Sequence, residues 1–414
     1  MASLGQTDPD LAELLADERR RLEETIDLIA AENTPPPEIL EMMGSVFNIK
    51  TIEGYPGKRF HAGCRNVDAV ERLAVDRCRQ LFQAGHANVQ PHSGTSANLA
   101  VYFSVLEPGD PILAMSLPHG GHLSHGHRAS MTSRCFRFEH YRVDSQTELI
   151  DYEEMRRLAR SFRPRMIVAG ASSYPRLIDY EQVAAIAREV SAYLLVDMAH
   201  IAGLVAAEVI PSPVPVSDFV TFTCYKTMLG PRGGVVLGRE DLAKRIDSAV
   251  FPGGQGTSPV NTMAAKALCF QRALNDPEFS TIQRETVRNA QHLASCLSDR
   301  GYRLVTGGTD NHQVIPDVGQ AGISGKAAEE LLEAVGIVCN RNVIPSDAEA
   351  GSGTSGIRLG TQAATVRGMG FPEMERLADL IDRTLKAGSD AEQLDEVRTG
   401  VRDLAGAFPV YEGS

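Results

Sequence analysis

The 414-residue sequence has no apolar run approaching the roughly 18 to 20 residues that a membrane-spanning helix needs. Its first ten residues lack the basic region and apolar core of a secretory signal. A soluble, unprocessed cytoplasmic protein is therefore expected. An excess of basic residues is also missing: 41 Lys and Arg stand against 53 Asp and Glu, a formal charge of -12. That balance argues against nucleic acid or an anionic membrane as the main partner, while small anions can still be held in local pockets. The seven cysteines are scattered and form no Cys-x-x-Cys pair, so neither a disulfide framework nor a zinc site is indicated. Internal repeats and low-complexity segments are absent as well.

What is present is the composition of an ordinary globular protein, 43% hydrophobic and 23% charged. Its length exceeds what one core serves, which points to a large domain with a smaller one. The reading is an N-terminal helical arm over 1–40, a large domain over 41–280 and a small domain over 281–414. Asp8-Pro9 has the form of an N-cap followed by proline at the first helical position. Leu11, Leu15, Leu22, Ile26 and Ile29 then recur at helical spacing to about Ala31, and Pro35-Pro36-Pro37 ends the run. Such an arm packs either on its own domain or on a neighbouring subunit.

Short β-branched runs alternate with helical stretches through the middle of the chain, the pattern of a mostly parallel sheet with helices on its faces. In such sheets ligands lie beyond the carboxyl ends of the strands. Ser172, Asp197, His200 and Lys226 follow successive strands there, either as a constellation or as unrelated strand caps. Ser93-Gly94-Thr95 heads an apolar helix, where hydroxyls and free N–H groups suit a phosphate, or simply cap the helix. His119, His122, His125 and His127 lie in a glycine-broken run. With no helix to fix one face, a flat imidazole against a flat cofactor explains one of them better than a metal site does. The glycine-rich loop around Glu53 reads from its composition as a surface turn. Arg358, in a glycine-bounded turn, suits either a carboxylate ligand or a surface ion pair.

A strand-end lysine, an aspartate, a phosphate seat and a flat histidine together match pyridoxal 5'-phosphate: the lysine binds its aldehyde and the carboxylate keeps its pyridine nitrogen protonated. Over about Leu11 to Tyr411 the sequence resembles the serine hydroxymethyltransferase family, whose fold is the fold-type I α/β arrangement. The matching stretches include Glu53-Gly-Tyr-Pro-Gly-Lys-Arg59, Asn88-Val-Gln-Pro-His-Ser-Gly94, His119-Gly-Gly-His-Leu-Ser-His-Gly126, Val196-Asp-Met-Ala-His200, Val250-Phe-Pro-Gly-Gly-Gln-Gly256 and Thr354-Ser-Gly-Ile-Arg358.

The resemblance implies that Lys226 carries the cofactor covalently, with Thr223 and Tyr225 beside it, that Asp197 pairs with the pyridine nitrogen, and that His122 stacks on the ring. It assigns Ser93, Gly94, Thr95, Thr51 and, across a dimer interface, Gly256 to the phosphate, and Ser172 and His200 to the ring hydroxyl side. Arg358, Ala31, Phe60 and His61 fall at substrate positions and Glu53 at acid–base chemistry. Leu117, Leu123, Phe251 and Asn342 match positions of a tetrahydrofolate site. A homodimer with shared sites, or a dimer of dimers, is implied, and no metal.

The departures fall in the same places. In that family serine is usual at Ala31, tyrosine at Thr51, Phe60 and His61, histidine at Tyr225, threonine at Cys224 and glycine at Thr257. Each lost polar contact is worth about 1 to 3 kcal/mol. They leave a second reading beside serine and tetrahydrofolate: a folate-independent aldolase or transaldolase that passes a glycyl carbanion to another aldehyde acceptor.

Overall fold

The computed structural model describes residues 4–350 and 353–411. The chain forms two compact units: Pro35–Arg284 with the segment that begins at Ile344, and the segment ending at Thr34 with Glu285–Val343 and the segment beginning at Gly353. Among the described residues no helix is long and apolar enough to cross a membrane.

The first unit is built on seven strands: β1 (His86–Asn88), β2 (Pro111–Met115), β3 (Arg137–Tyr141), β4 (Met166–Ala169), β5 (Tyr193–Asp197), β6 (Phe219–Thr223) and β7 (Gly234–Gly238). Their order across the sheet is β1-β7-β6-β5-β4-β2-β3. Neighbours from β6 through to β3 run parallel, and β7 runs antiparallel to both β6 and β1. Strands β2, β4 and β5 are nearly continuous apolar runs with both faces covered, β6 interleaves Thr221 and Thr223, and the edge strand β3 carries Arg137 and Glu139. One face carries Ile112, Met166, Leu195, Phe219 and Val236, packed with Val101 and Tyr102 of the helix Gly94–Val105. Side chains alternate along β6, so Phe222 points to the opposite face. There its ring meets Phe82 of the helix Arg65–Phe82 at 4.9 Å and Phe270 of the helix Val260–Asn275 at 6.3 Å.

The loop around Glu53 is not a free surface turn, contrary to its composition. Gly54–Tyr55 pairs with Lys58–Arg59, and Arg59 is sequestered against the helix Arg65–Phe82. Its guanidinium donates to Asp68 at 2.9 Å, to Gly54 O at 2.7 Å and to Glu71. Tyr55 Oη donates to the Asp247 carbonyl at 2.7 Å. Burial raises the Glu71 carboxyl, and hydrogen bonds from Gln90 and Arg59 offset this only in part. The buried Arg59–Glu71 pair thus fixes the register of the hairpin that follows Glu53.

In the second unit, Asp8 accepts from Leu11 N–H at 3.0 Å and Pro9 opens the first long helix. That helix closes at Glu24 rather than near Ala31. Beyond it Ile26 and Leu28 are buried and alternate with half-buried Asp27 and Ile29, so a period of two replaces the helical one. Ile26–Asp27 pairs in parallel with Ile337–Val338, a long-range partner that local propensity does not reveal. The helix itself buries no residue, and Leu14 is 65% exposed. The unit's core joins Ile26 and Leu28 to Leu297, Leu332, Ile357, Leu377 and Val401. Its sheet is antiparallel: Gly356–Gly360 pairs with Gln313–Val314, Pro316–Asp317 and Asn340–Asn342.

Burial pushes the Asp27 carboxyl up to about 7; the Ile29 N–H opposes this and Glu32 adds to it. The unfolded chain titrates there near 3.8, so the folded chain holds the proton more tightly. This stabilisation is complete below about pH 4 and is lost as pH rises through about 7. Asp27→Asn is expected to remove that slope, which amounts to about 4 kcal/mol at most. Urea unfolding at about pH 5 and pH 8 checks it, and an equal decline in both proteins contradicts it.

Candidate active site

The parallel strands β2, β4, β5 and β6 deliver their following loops to one edge of the sheet. His122 follows β2, Ser172 follows β4, Asp197 ends β5 with His200 beyond it, and Tyr225 and Lys226 follow β6. With Ser93, Gly94, Thr95 and Thr223 they line one cavity of about 100 Å³. A larger cavity of about 790 Å³ in the same unit, lined by Leu99, Phe103, Met131, Lys244 and Val250, holds none of the strand-end residues. The convergence of chemistry, not size, marks the smaller one as the candidate site.

Asp197 is the electrostatic centre of that cavity. Its Oδ2 accepts from Asn98 Nδ2 at 2.8 Å and faces His125 Nε2 at 3.0 Å, and its Oδ1 accepts from Ala199 N–H at 3.1 Å. His125 Nδ1 accepts the His122 main-chain N–H at 3.3 Å, which assigns the His125 ring proton to Nε2, pointing at the carboxylate. Burial alone raises the Asp197 carboxyl, but the His125 hydrogen bond, the fields of His125 and His122, and the Asn98 amide outweigh it. The carboxyl is held well below its ordinary range. It is an anion at any physiological pH, as partner to a protonated ring nitrogen must be.

Asn98 connects this carboxylate to the rest of the site. Asp197 and Thr221 face each other across β5 and β6 and so share a sheet face. Asn98, on the helix above, accepts from Thr221 Oγ1 at 2.6 Å and donates to Ser124 Oγ at 2.9 Å as well as to Asp197. Ser124 Oγ lies 2.7 Å from His122 Nδ1, which also accepts the Ser124 N–H at 3.2 Å. The imidazole at the cavity wall is thereby locked to the aspartate through one amide and one hydroxyl. Sequence reasoning missed Asn98, Ser124, His125 and Thr221 as site members. The signals were slight: one amide in an apolar helix, and threonines at alternate positions of a buried strand.

Ser93 both caps a helix and opens the cavity. Its Oγ accepts from Ser96 N–H at 3.2 Å and its N–H donates to Ser96 Oγ at 2.8 Å, a capping box at the head of Gly94–Val105. The next first-turn N–H groups belong to Gly94 and Thr95, which line the cavity at the positive end of the helix. A Cβ on Gly94 would meet Thr223 Cγ2 at 2.9 Å, so a side chain there would crowd the seat. Lys226 is 7% exposed, while the Tyr225 ring sits under the Arg232 guanidinium at 4.6 Å. An anion seat, an ionised carboxylate, a sequestered lysine and a flat imidazole around one cavity fit pyridoxal phosphate.

His122, His125 and Asp197 also bring possible metal-ligand atoms within 4.8 Å of one another. A cation held through His125 Nε2 would displace the His125–Asp197 hydrogen bond. The remaining two histidines of the run, His119 and His127, are not part of this cluster.

Other expected residues lie elsewhere. Thr51, Glu53, Phe60, His61 and Gly256 belong to the first unit but do not line the strand-end cavity. Glu53 Oε1 is 3.8 Å from where a Cβ of Gly256 would stand, so these two are neighbours. Phe60 is 75% exposed with its ring 5.8 Å from that of Phe251. His61 Nδ1 is buried with no hydrogen-bond partner among the described residues, and His92 Nε2 reaches the Thr257 carbonyl at 3.2 Å. In the second unit, Arg358 Nε donates to Asn340 Oδ1 at 3.1 Å, and desolvation lowers its pKa to about 10. That is a guanidinium withdrawn from water rather than an exposed ion pair. Gln362 Nε2 donates to the carbonyls of Ile29 and Glu32, at 2.8 and 2.6 Å, which fixes the backbone that carries Ala31.

Asn98→Leu removes the partner of three groups at once, leaving Thr221, Ser124 and Asp197 each short of one hydrogen bond. A loss of about 2 to 4 kcal/mol in unfolding free energy is expected, larger than for a single buried hydrogen bond. Urea unfolding measures it; a loss within about 0.5 kcal/mol of zero contradicts the hub.

Two comparisons with known proteins identify the family. A sequence model described as Serine hydroxymethyltransferase matches residues 4–381. A serine hydroxymethyltransferase of Desulforapulum autotrophicum is 50% identical over 405 residues, covering 98% of this chain and 96% of the relative. A match of that extent takes in both units and every strand end described above, and it does not favour the folate-independent alternative. The chain belongs to the serine hydroxymethyltransferase family.

Proposed function

We propose that this chain interconverts serine and glycine with tetrahydrofolate as the one-carbon carrier, and that its residues divide the work as follows. Pyridoxal phosphate, when bound, supplies the electron sink that weakens the bonds at the amino acid's α-carbon. Lys226 would hold the cofactor through its amine. Asp197 keeps a proton on the ring nitrogen by accepting its hydrogen bond as an anion. The His122 ring would pack against the cofactor and exclude water, and Ser93, Gly94 and Thr95 would bind its phosphate at the helix N-terminus. Ser172 and His200 bind on the ring hydroxyl side. Arg358 grips the α-carboxylate of serine, and Glu53 moves a proton at the serine hydroxyl oxygen or at the folate one-carbon unit.

The convergence of Lys226, Asp197, His122 and the Ser93–Thr95 seat on one cavity supports this reading most directly. We read the functional unit as a homodimer with shared sites, Gly256 and Glu53 of one copy serving the cavity of the other. Two observations favour this. Glu53 and Gly256 are neighbours yet absent from the lining of their own chain's cavity, and the apolar residues Leu11, Leu14 and Leu15 of the first helix are exposed in the single chain. The serine and tetrahydrofolate pocket then owes its departures to Ala31, Thr51, Phe60, His61 and Tyr225, which adjust substrate preference while the chemistry is kept.

The purified full chain with pyridoxal phosphate is expected to release glycine from serine only when tetrahydrofolate is added. Lys226→Ala should reduce this to background and leave the cofactor removable by dialysis. Arg358→Lys should raise the KM for serine by roughly tenfold to a hundredfold, because a point charge replaces a planar fork. Glycine formed at the same rate without tetrahydrofolate, or retained in Lys226→Ala, contradicts the reading.

A further inference from the structure

Lys266 plays no part in the site described so far, yet it is 1% exposed in an apolar stretch of the helix Val260–Asn275. Its Nζ donates to three carbonyl oxygens: Val89 at 2.6 Å, Gly234 at 2.7 Å and Pro91 at 3.2 Å. Three N–H bonds of an ammonium meet three acceptors, one more than a neutral amine could satisfy. Among the described residues this cation meets main-chain oxygens rather than a carboxylate.

The three acceptors have one thing in common. Val89 and Pro91 belong to the segment between β1 and Ser93, and Gly234 is the first residue of β7. The Gly234 N–H in turn donates to Pro91 O at 3.0 Å. A Cβ on Gly234 would lie 2.2 Å from Ser93 O, so β7 starts in direct contact with the first residue of the seat. Between the two clamped carbonyls, Gln90 O accepts from Gln255 Nε2 and Ser258 Oγ, each at 2.8 Å. Three successive carbonyls are thus drawn toward residues 255–266, and the chain emerges at Ser93 with its direction fixed.

We propose that Lys266 is the positioning residue of the phosphate seat: by clamping the Val89, Pro91 and Gly234 carbonyls it sets the angle at which Ser93, Gly94 and Thr95 meet a phosphate. This rests on the reading of Ser93–Thr95 as that seat. Lys266 does not touch the cavity, so its effect is confined to the part of the ligand that the seat holds.

The test compares pyridoxal phosphate with pyridoxal, which has the same ring and aldehyde but no phosphate, as ligands of the full chain freed of cofactor. In Lys266→Met the preference for pyridoxal phosphate over pyridoxal is expected to fall about tenfold or more, with pyridoxal affinity unchanged within about twofold. Thermal stabilisation by inorganic phosphate should fall in parallel. Equal losses for both ligands would mean general loosening of the fold and overturn the proposal, as would an unchanged preference. Should Lys266→Met not fold, Lys266→Gln, which keeps one donor group, is expected to show the same one-sided loss to a smaller extent, and an unchanged preference there overturns the proposal equally. Ser93→Ala separates the two layers: if it leaves the preference intact, the seat reading itself fails and the role of Lys266 falls with it.

Discussion

A carboxylate shut away from water at the end of a β-strand stays charged only if its surroundings replace the water, and much of this structure supplies that replacement for Asp197. The His125 ring proton, the Asn98 amide and the Ala199 N–H all point at its two oxygens. Two of these donors are oriented by something else: His125 by the His122 main chain, Asn98 by Thr221 and Ser124. The anion therefore depends on a network spanning β5, β6, one helix and the histidine loop. A network of this kind is stable only when every member is satisfied.

The sheet makes that network possible. Register places Asp197 beside Thr221 on one face, where the helix Gly94–Val105 passes over both. The same helix presents its N-terminus to the cavity, so one element supplies the amide that steadies the carboxylate and the N–H groups suited to a phosphate. On the other face of the sheet the helix Val260–Asn275 packs against Phe222 and sends Lys266 into the carbonyls that precede Ser93. The polar network on one face is in this way braced from the other.

Much of this was legible in the sequence. The strand that ends at Asp197 is an apolar run and the one before Lys226 mixes Phe and Val with threonines, and both give way to polar side chains at their carboxyl ends. The Asp8-Pro9 start of the first helix is local chemistry and reads directly. What could not be read depends on partners far along the chain. Ile26–Asp27 becomes a strand only because Ile337–Val338 is there to pair with it. Arg59 looks like a surface charge until Glu71 and Asp68 are folded beside it. Asn98 and Lys266 each sit in an apolar stretch of a helix, and nothing nearby in sequence names the groups they satisfy.

Asp197 is expected to remain an anion throughout the range in which the protein is folded. Titration of its side-chain carboxyl by carbon-13 NMR in the labelled full chain, assigned with Asp197→Asn, tests this most directly. No protonation step is expected between about pH 8 and pH 4, and an upward-shifted step is expected when His125 is replaced by phenylalanine. A wild-type carboxyl that takes up its proton within that window would contradict it.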